Sequence, residues 1–188
     1  MVLVIVSAIF ATGCATSKLT RLDDVSANEA VVIAKFHCVY NGKDVTKGCN
    51  VIFDPMPSFG TPKYQYILDE SGYVFAKLPV GANAIRVVIH KSGLMQHHFT
   101  SEELTCQING GGVINYIGDV TFDWKGMSSG AGVGVVALTG VIGSSELTGG
   151  GVAVSVESNA AAAQEAFRQK FPNDRSLTPS LLVVKLRK

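Results

Sequence analysis

The chain has no cluster of positive charge: its 16 Lys and Arg are scattered among 15 Asp and Glu, for a formal net charge of +1. That excludes the basic stripe that a nucleic-acid partner requires. Histidine is scarce, at four residues, and none follows His98. The stretch Gly126-Met127-Ser128-Ser129-Gly130 has the Gly-x-Ser-x-Gly form of a nucleophile elbow. That elbow needs its acid and histidine later in the chain, so the missing histidine removes this hydrolase chemistry. Adjacent carboxylates occur at Asp23-Asp24, Asp69-Glu70 and Glu102-Glu103. On a strand such neighbours point to opposite faces and in a turn they are solvated, so none forms a general acid/base pair. Further βα units are also lacking after Gly132-Val133-Gly134-Val135-Val136-Ala137, which matches a dinucleotide fingerprint with Glu157 downstream. No enzymatic activity and no cofactor are expected. What is present is one domain's worth of chain, 188 residues with a 47% apolar share, enough for a single core.

The first residues form an uncharged apolar run from Val2 to Ala11. It is too short to span a bilayer and suits the core of a signal peptide. Directly after it, Ala11-Thr12-Gly13-Cys14 resembles the lipobox of bacterial lipoproteins, in which the cysteine is diacylated and becomes the new N-terminus. Ala11 and Gly13 also satisfy an ordinary small-x-small cleavage site, so plain secretion is the alternative. The resemblance implies a signal peptide over 1–13, a lipid anchor at Cys14 and, with Ala15 next, retention at the outer membrane of the cell envelope. Residues 14–28 are polar and unpatterned and read as a tether.

An exported chain meets an oxidising compartment, which bears on the cysteines besides Cys14, namely Cys38, Cys49 and Cys106. Cys38 and Cys49 flank Asn41-Gly42-Lys43-Asp44, a strong turn signal, so a disulfide between them fits paired strands or the loop they close. The alternative is three buried thiols that behave as small hydrophobes, and Cys106 is expected to be one in either case.

Residues 29–125 alternate short runs rich in Val, Ile, Tyr, Phe and Thr with turn residues such as Asn41-Gly42, Ser71-Gly72 and Asn109 to Gly112. Eight strands are expected: Val31 to Tyr40, Asn50 to Phe53, Tyr64 to Leu68, Tyr73 to Leu78, Ala84 to His90, Met95 to Thr100, Thr105 to Ile108 and Val113 to Trp124. Regular spacing of this kind predicts a sandwich or barrel. The segment Ser71 to Val87, with its Gly-aromatic strand running into Leu78-Pro79-Val80-Gly81, resembles transthyretin-like (prealbumin-like) and carboxypeptidase regulatory-like modules. Tyr116-Ile117-Gly118-Asp119-Val120 looks like a strand of bacterial lipoproteins of this type. The resemblance implies a mainly β sandwich over 29–188 that serves as a binding or scaffold unit without catalytic residues.

Residues 126–151 are glycine-rich and carry little charge beyond Glu146. Gly126, Gly130 and Gly134 have the small-xxx-small spacing that allows close backbone packing in an oligomer or in lipid; a surface loop is the alternative. A strand from Val152 to Val156, a helix over 159–171 that stops before Pro172, and a last strand from Leu181 to Leu186 complete the expectation. His90, His97 and His98 lie on adjacent predicted strands and are weak candidates for a metal site, since no Cys or carboxylate at ligand spacing completes the set. Tyr64, Tyr66, Tyr73 and Phe75 read as cross-strand packing. The expected function is a lipid-anchored envelope module for a protein or glycan partner. The alternative is a homo-oligomeric envelope component whose glycine-rich segment packs on itself or enters the membrane.

Overall fold

A computed structural model describes residues 19–56, 64–90, 96–124, 152–173 and 175–185. The expected two-sheet sandwich with one C-terminal α-helix is what forms. In chain order the elements are β1 (Glu29–Tyr40), β2 (Lys43–Asp44), β3 (Asn50–Pro55), β4 (Tyr64–Ile67), β5 (Tyr73–Pro79), β6 (Gly81–Ile89) and β7 (Gln96–His98). They continue with β8 (Leu104–Ile108), β9 (Ile114–Trp124), β10 (Val152–Glu157), α1 (Ala160–Lys170), β11 (Leu177–Pro179) and β12 (Val183–Val184).

The first sheet is built around β1 and β9, which run parallel to each other. On the other edge of β1, its first part pairs with β5 and its end with β2, both antiparallel. The far edge of β9 is covered by β11 near its start and by β10 near its end. The second sheet is antiparallel throughout, in the order β4-β3-β6-β8-β12, with β7 also on β6. Pro79-Val80-Gly81 is the corner where the chain passes from one sheet to the other. Gly81 takes a φ of +112° there, as its place after the proline predicts.

Two cores result from strand alternation. Ala30, Val32, Ala34, Phe36 and Cys38 of β1 point between the sheets, where they meet Val51 and Phe53 of β3, Ile85 and Val88 of β6, and Phe122 and Trp124 of β9. Val31 and Ile33 point the other way, toward Phe75, Ile114 and Tyr116 and toward Ala163, Phe167 and Phe171 at the helix. In α1, Ala163 and Phe167 are four apart and so share the face that packs on the sheet. No side-chain cap forms at its start: Asn159 precedes the helix without a capping bond. Instead its backbone N–H donates to the Tyr116 hydroxyl at 2.9 Å, which itself donates to Asp119 at 2.7 Å.

Two glycines are structural necessities. Gly118 has a φ of +110°, and a Cβ on it would lie 2.7 Å from Val156. It sits where the register of β1 and β9 shifts, between the pairs Ile33/Tyr116 and Lys35/Asp119. The extra residue there is a bulge. Gly72 has a φ of +67°, and a Cβ would come within 2.1 Å of the Phe36 carbonyl. Its own carbonyl accepts from Phe36 N–H at 2.9 Å.

Several boundaries differ from expectation. Within the stretch read as a tether, Leu19 is buried in the helix-side core and its N–H donates to Phe75 O, and a 3-10 turn follows at Leu22–Asp24. A polar, aperiodic segment gives no sign of a single anchoring leucine. The last strand contracts to Val183–Val184, and the short β2 and β11 are additional to the expected strands. Strands of two or three residues are held by their neighbours rather than by propensity.

Candidate functional site

A groove of about 220 Å3 opens on the side of the sandwich where the two sheets end next to each other. One wall is β4, whose other edge pairs with no strand among the described residues. The other wall is β5, with Tyr73, Val74 and Phe75, and the end of α1 contributes Lys170. The remaining lining comes from Gln65, Tyr66 and Ile67 of β4 and Asp69 of the β4–β5 turn.

The groove is shaped by how these side chains are held. Tyr66 packs edge-on against Phe53 at 5.8 Å between ring centroids, and its hydroxyl donates across the gap to Lys77 O at 3.3 Å. It thereby links the two edges. Tyr73 and Phe75, two apart on one face of β5, stack at 6.0 Å. Lys170 Nζ lies 4.5 Å from the Phe75 ring centre and Lys35 Nζ lies 5.4 Å from that of Tyr73. Both contacts are of the cation–π type. Ile67, by contrast, is 70% exposed, the most solvent-facing large apolar side chain among the described residues. Hydrogen bonds from the Ser71 side chain and backbone hold the Asp69 carboxyl below the usual carboxylate range despite partial burial. Burial pushes the Tyr73 phenol up. Both groups thus move away from neutrality. The groove brings together the half-buried Tyr73, an exposed Ile67, an ammonium, a carboxylate, an amide and a strand edge that pairs with no other strand among the described residues.

The histidines lie elsewhere. His97 pairs with Val88 and His98 with Val87 across β6 and β7, so the two rings point to opposite faces. The His97 ring packs 4.5 Å from that of Phe99, and His90 lies 6.2 Å from the Tyr40 ring. Burial pulls His97 below its ordinary value, with Glu103 opposing and His98 adding to the shift. Among the described residues no three or more His, Cys, Asp or Glu side chains converge on a metal-sized site.

Cys38 and Cys49 are brought together as thiols, both fully buried between the sheets. The backbone N–H of Cys38 donates to Thr46 Oγ1 at 2.9 Å, and the Cys49 thiol donates to Val45 O at 3.0 Å. A hydrogen bond to Cys49, with burial, pushes the Cys38 thiol far above the ordinary range. Cys106 is buried on β8, and there burial alone pushes its thiol up to about 12. Cys14, Gly126, Gly130 and Gly134 lie outside the described residues, as do the two glycine-rich motifs.

Sequence reasoning finds the aromatic residues of the groove but reads them as packing alone. The parts it misses are Asp69 and Lys170, which lie 101 positions apart (170 − 69) and meet only because α1 crosses the first sheet. The lysine at the end of a helix gives no signal beyond its favourable place at the negative pole of the helix dipole. Comparison with protein-family models, with curated proteins and with solved structures finds no match for this chain.

Proposed function

We propose that this chain is an exported, lipid-anchored binding module of the bacterial cell envelope. Cys14 is its membrane attachment, and the side groove is its recognition site for a protein or glycan partner. The observation that carries the reading is the groove itself: a β4 edge that pairs with no other strand among the described residues, an exposed Ile67, and a half-buried Tyr73 stacked on Phe75 beside Asp69 and Lys170. Exposed apolar and aromatic groups ringed by polar ones are how proteins mark an interaction surface. Binding rather than catalysis is favoured because the two lining groups with shifted acidity, Asp69 and Tyr73, both move away from neutrality. Anchoring rests on the likeness of Ala11 to Cys14 to a lipobox, and the outer membrane on Ala15. The transthyretin-like reading of Ser71 to Val87 points to the same class of use.

The test uses a photo-crosslinking residue at Ile67 and, as a control, at Glu165 on the exposed side of α1, in intact cells of an envelope-bearing host fed labelled palmitate. The expected result is palmitate on the wild-type chain but not on Cys14→Ser, and a discrete adduct from position 67 that Lys170→Glu abolishes. Equal adducts from both positions, or adducts indifferent to Lys170, would reject the groove as the recognition site. Palmitate on neither chain, or equally on both, would reject the anchor.

A further inference from the structure

We propose that Cys38 and Cys49 close into a disulfide while the chain folds, tying the first sheet to the start of the second, and that the finished fold then seals the bond from reductants. Cys38 belongs to β1 and Cys49 immediately precedes β3, so the bond would join the two layers of the sandwich directly. The oxidising surroundings come from the proposed export; the pairing itself comes from the geometry.

Three features select this pair. First, both side chains are 0% exposed in the same inter-sheet core, in hydrogen-bonding contact with each other. Second, the segment between them is locked from both ends: Val45 N–H donates to Cys38 O at 2.8 Å and Cys49 N–H to Thr46 O at 3.0 Å. Asn41 and Gly42 turn the chain with φ of +49° and +73°, so the partners find each other locally and early. Third, Cys106 shares that core but lies far along it: it registers with Asn83 of β6, whereas Asn50, next to Cys49, registers with Ile89 toward the other end of the same strand.

The chemistry fixes the timing. Each thiol gives up its hydrogen, one S–S bond forms, and two electrons and two protons pass to a disulfide-bearing oxidant that leaves as a dithiol, through a mixed disulfide. Attack requires a thiolate that the oxidant can reach. In the folded chain neither sulfur is reachable, and the Cys38 proton is held by its bond to Cys49 and by burial. Exchange therefore precedes closure of the sandwich. Reduction afterwards has to wait for unfolding.

The experiment refolds the full chain, denatured and reduced, in a glutathione redox buffer, then alkylates it in denaturant and maps the peptides by mass. The expected product links Cys38 to Cys49 and leaves Cys106 alkylated. Dithiothreitol added to the refolded protein should leave the link intact in native buffer and break it in guanidinium. A Cys38→Ser/Cys49→Ser variant should melt about 5–10 °C lower than the oxidised chain. Free, alkylated Cys38 and Cys49 after refolding, or a link to Cys106, would overturn the proposal, as would ready reduction in native buffer. Because this assay needs no export, it is independent of the anchor: a linked pair leaves the bond standing even where the palmitate test rejects the anchor, and free thiols leave the anchor untouched.

Discussion

The two halves of β1 are built to different rules. Its first half, Glu-Ala-Val-Val-Ile-Ala, is apolar without alternation after the opening glutamate, and from Ala30 to Ala34 every residue is buried. Its second half, Lys-Phe-His-Cys-Val-Tyr, alternates, with Phe36 and Cys38 buried and His37 exposed. β9 repeats the contrast: Ile114 to Gly118 are all buried, whereas from Asp119 to Trp124 buried and half-buried residues take turns. The cause is α1, which covers the sheet over the first halves only; beyond it the outer face carries His37, Thr121 and Ser155, register partners in the wet part of the sheet. A strand covered on both faces reads as a continuous apolar run, and one covered on a single face reads as alternation. The position of a helix on a sheet is thus written in the strands beneath it.

Three changes would sharpen or break this contrast. The largest effect is expected from Gly72→Val, at the junction of the halves. A left-handed backbone and a Cβ 2.1 Å from the Phe36 carbonyl leave no accommodation without moving β1 or the turn. A loss of about 3 kcal/mol or more is expected in denaturant titration. A loss below about 1 kcal/mol would mean that the junction yields easily and the two halves are not rigidly joined.

Next comes Phe167→Ala, which empties the helix-side core alone and should cost about 3–4 kcal/mol. Its signature is spatial. Hydrogen exchange should quicken at residues 31–35 and 114–116, under the helix, more than at 120–124; uniform quickening would show that the two cores unfold as one.

The smallest effect concerns acid and lies at the margin of the inter-sheet core, where the half-buried His97 packs on Phe99. Because burial lowers the pKa of His97, the unfolded chain binds a proton more readily than the folded one. Stability from this group is therefore complete above the unfolded value near 6.5 and is lost as pH falls through the lower folded value. The melting temperature should decline on going from pH 7 to 5, and His97→Gln should flatten that decline. An identical pH profile in the variant would place the sensitivity elsewhere.

The strands can be read from β-branched and aromatic runs between turn signals because each such run buries at least one face. The helix can be read too, from Ala160 to the stop at Pro172. The groove is only half legible. Tyr66, Tyr73 and Phe75 stand out by type, but their grouping with Lys170 depends on where α1 lies, and no local pattern records which end of a helix overhangs a sheet edge. Leu19 is invisible for the same reason: one leucine among polar residues is periodic with nothing. The nearness of Cys38 to Cys49 is legible because a turn, the most local of signals, stands between them.

The parallel pairing of β1 with β9 has a consequence in time. The strand β1, first among the described residues, is completed by one that emerges 83 residues later (114 − 31), since Val31 registers with Ile114, and among the described residues the far edge of β9 is covered by β10 and β11, which come later still. Contacts of such long sequence separation close slowly, because the intervening chain must be ordered before they repay it. Until then, the apolar residues Ala30 to Ala34 have no settled partner on that edge. A chain that folded as it was made would hold this strand edge open until β9 had emerged.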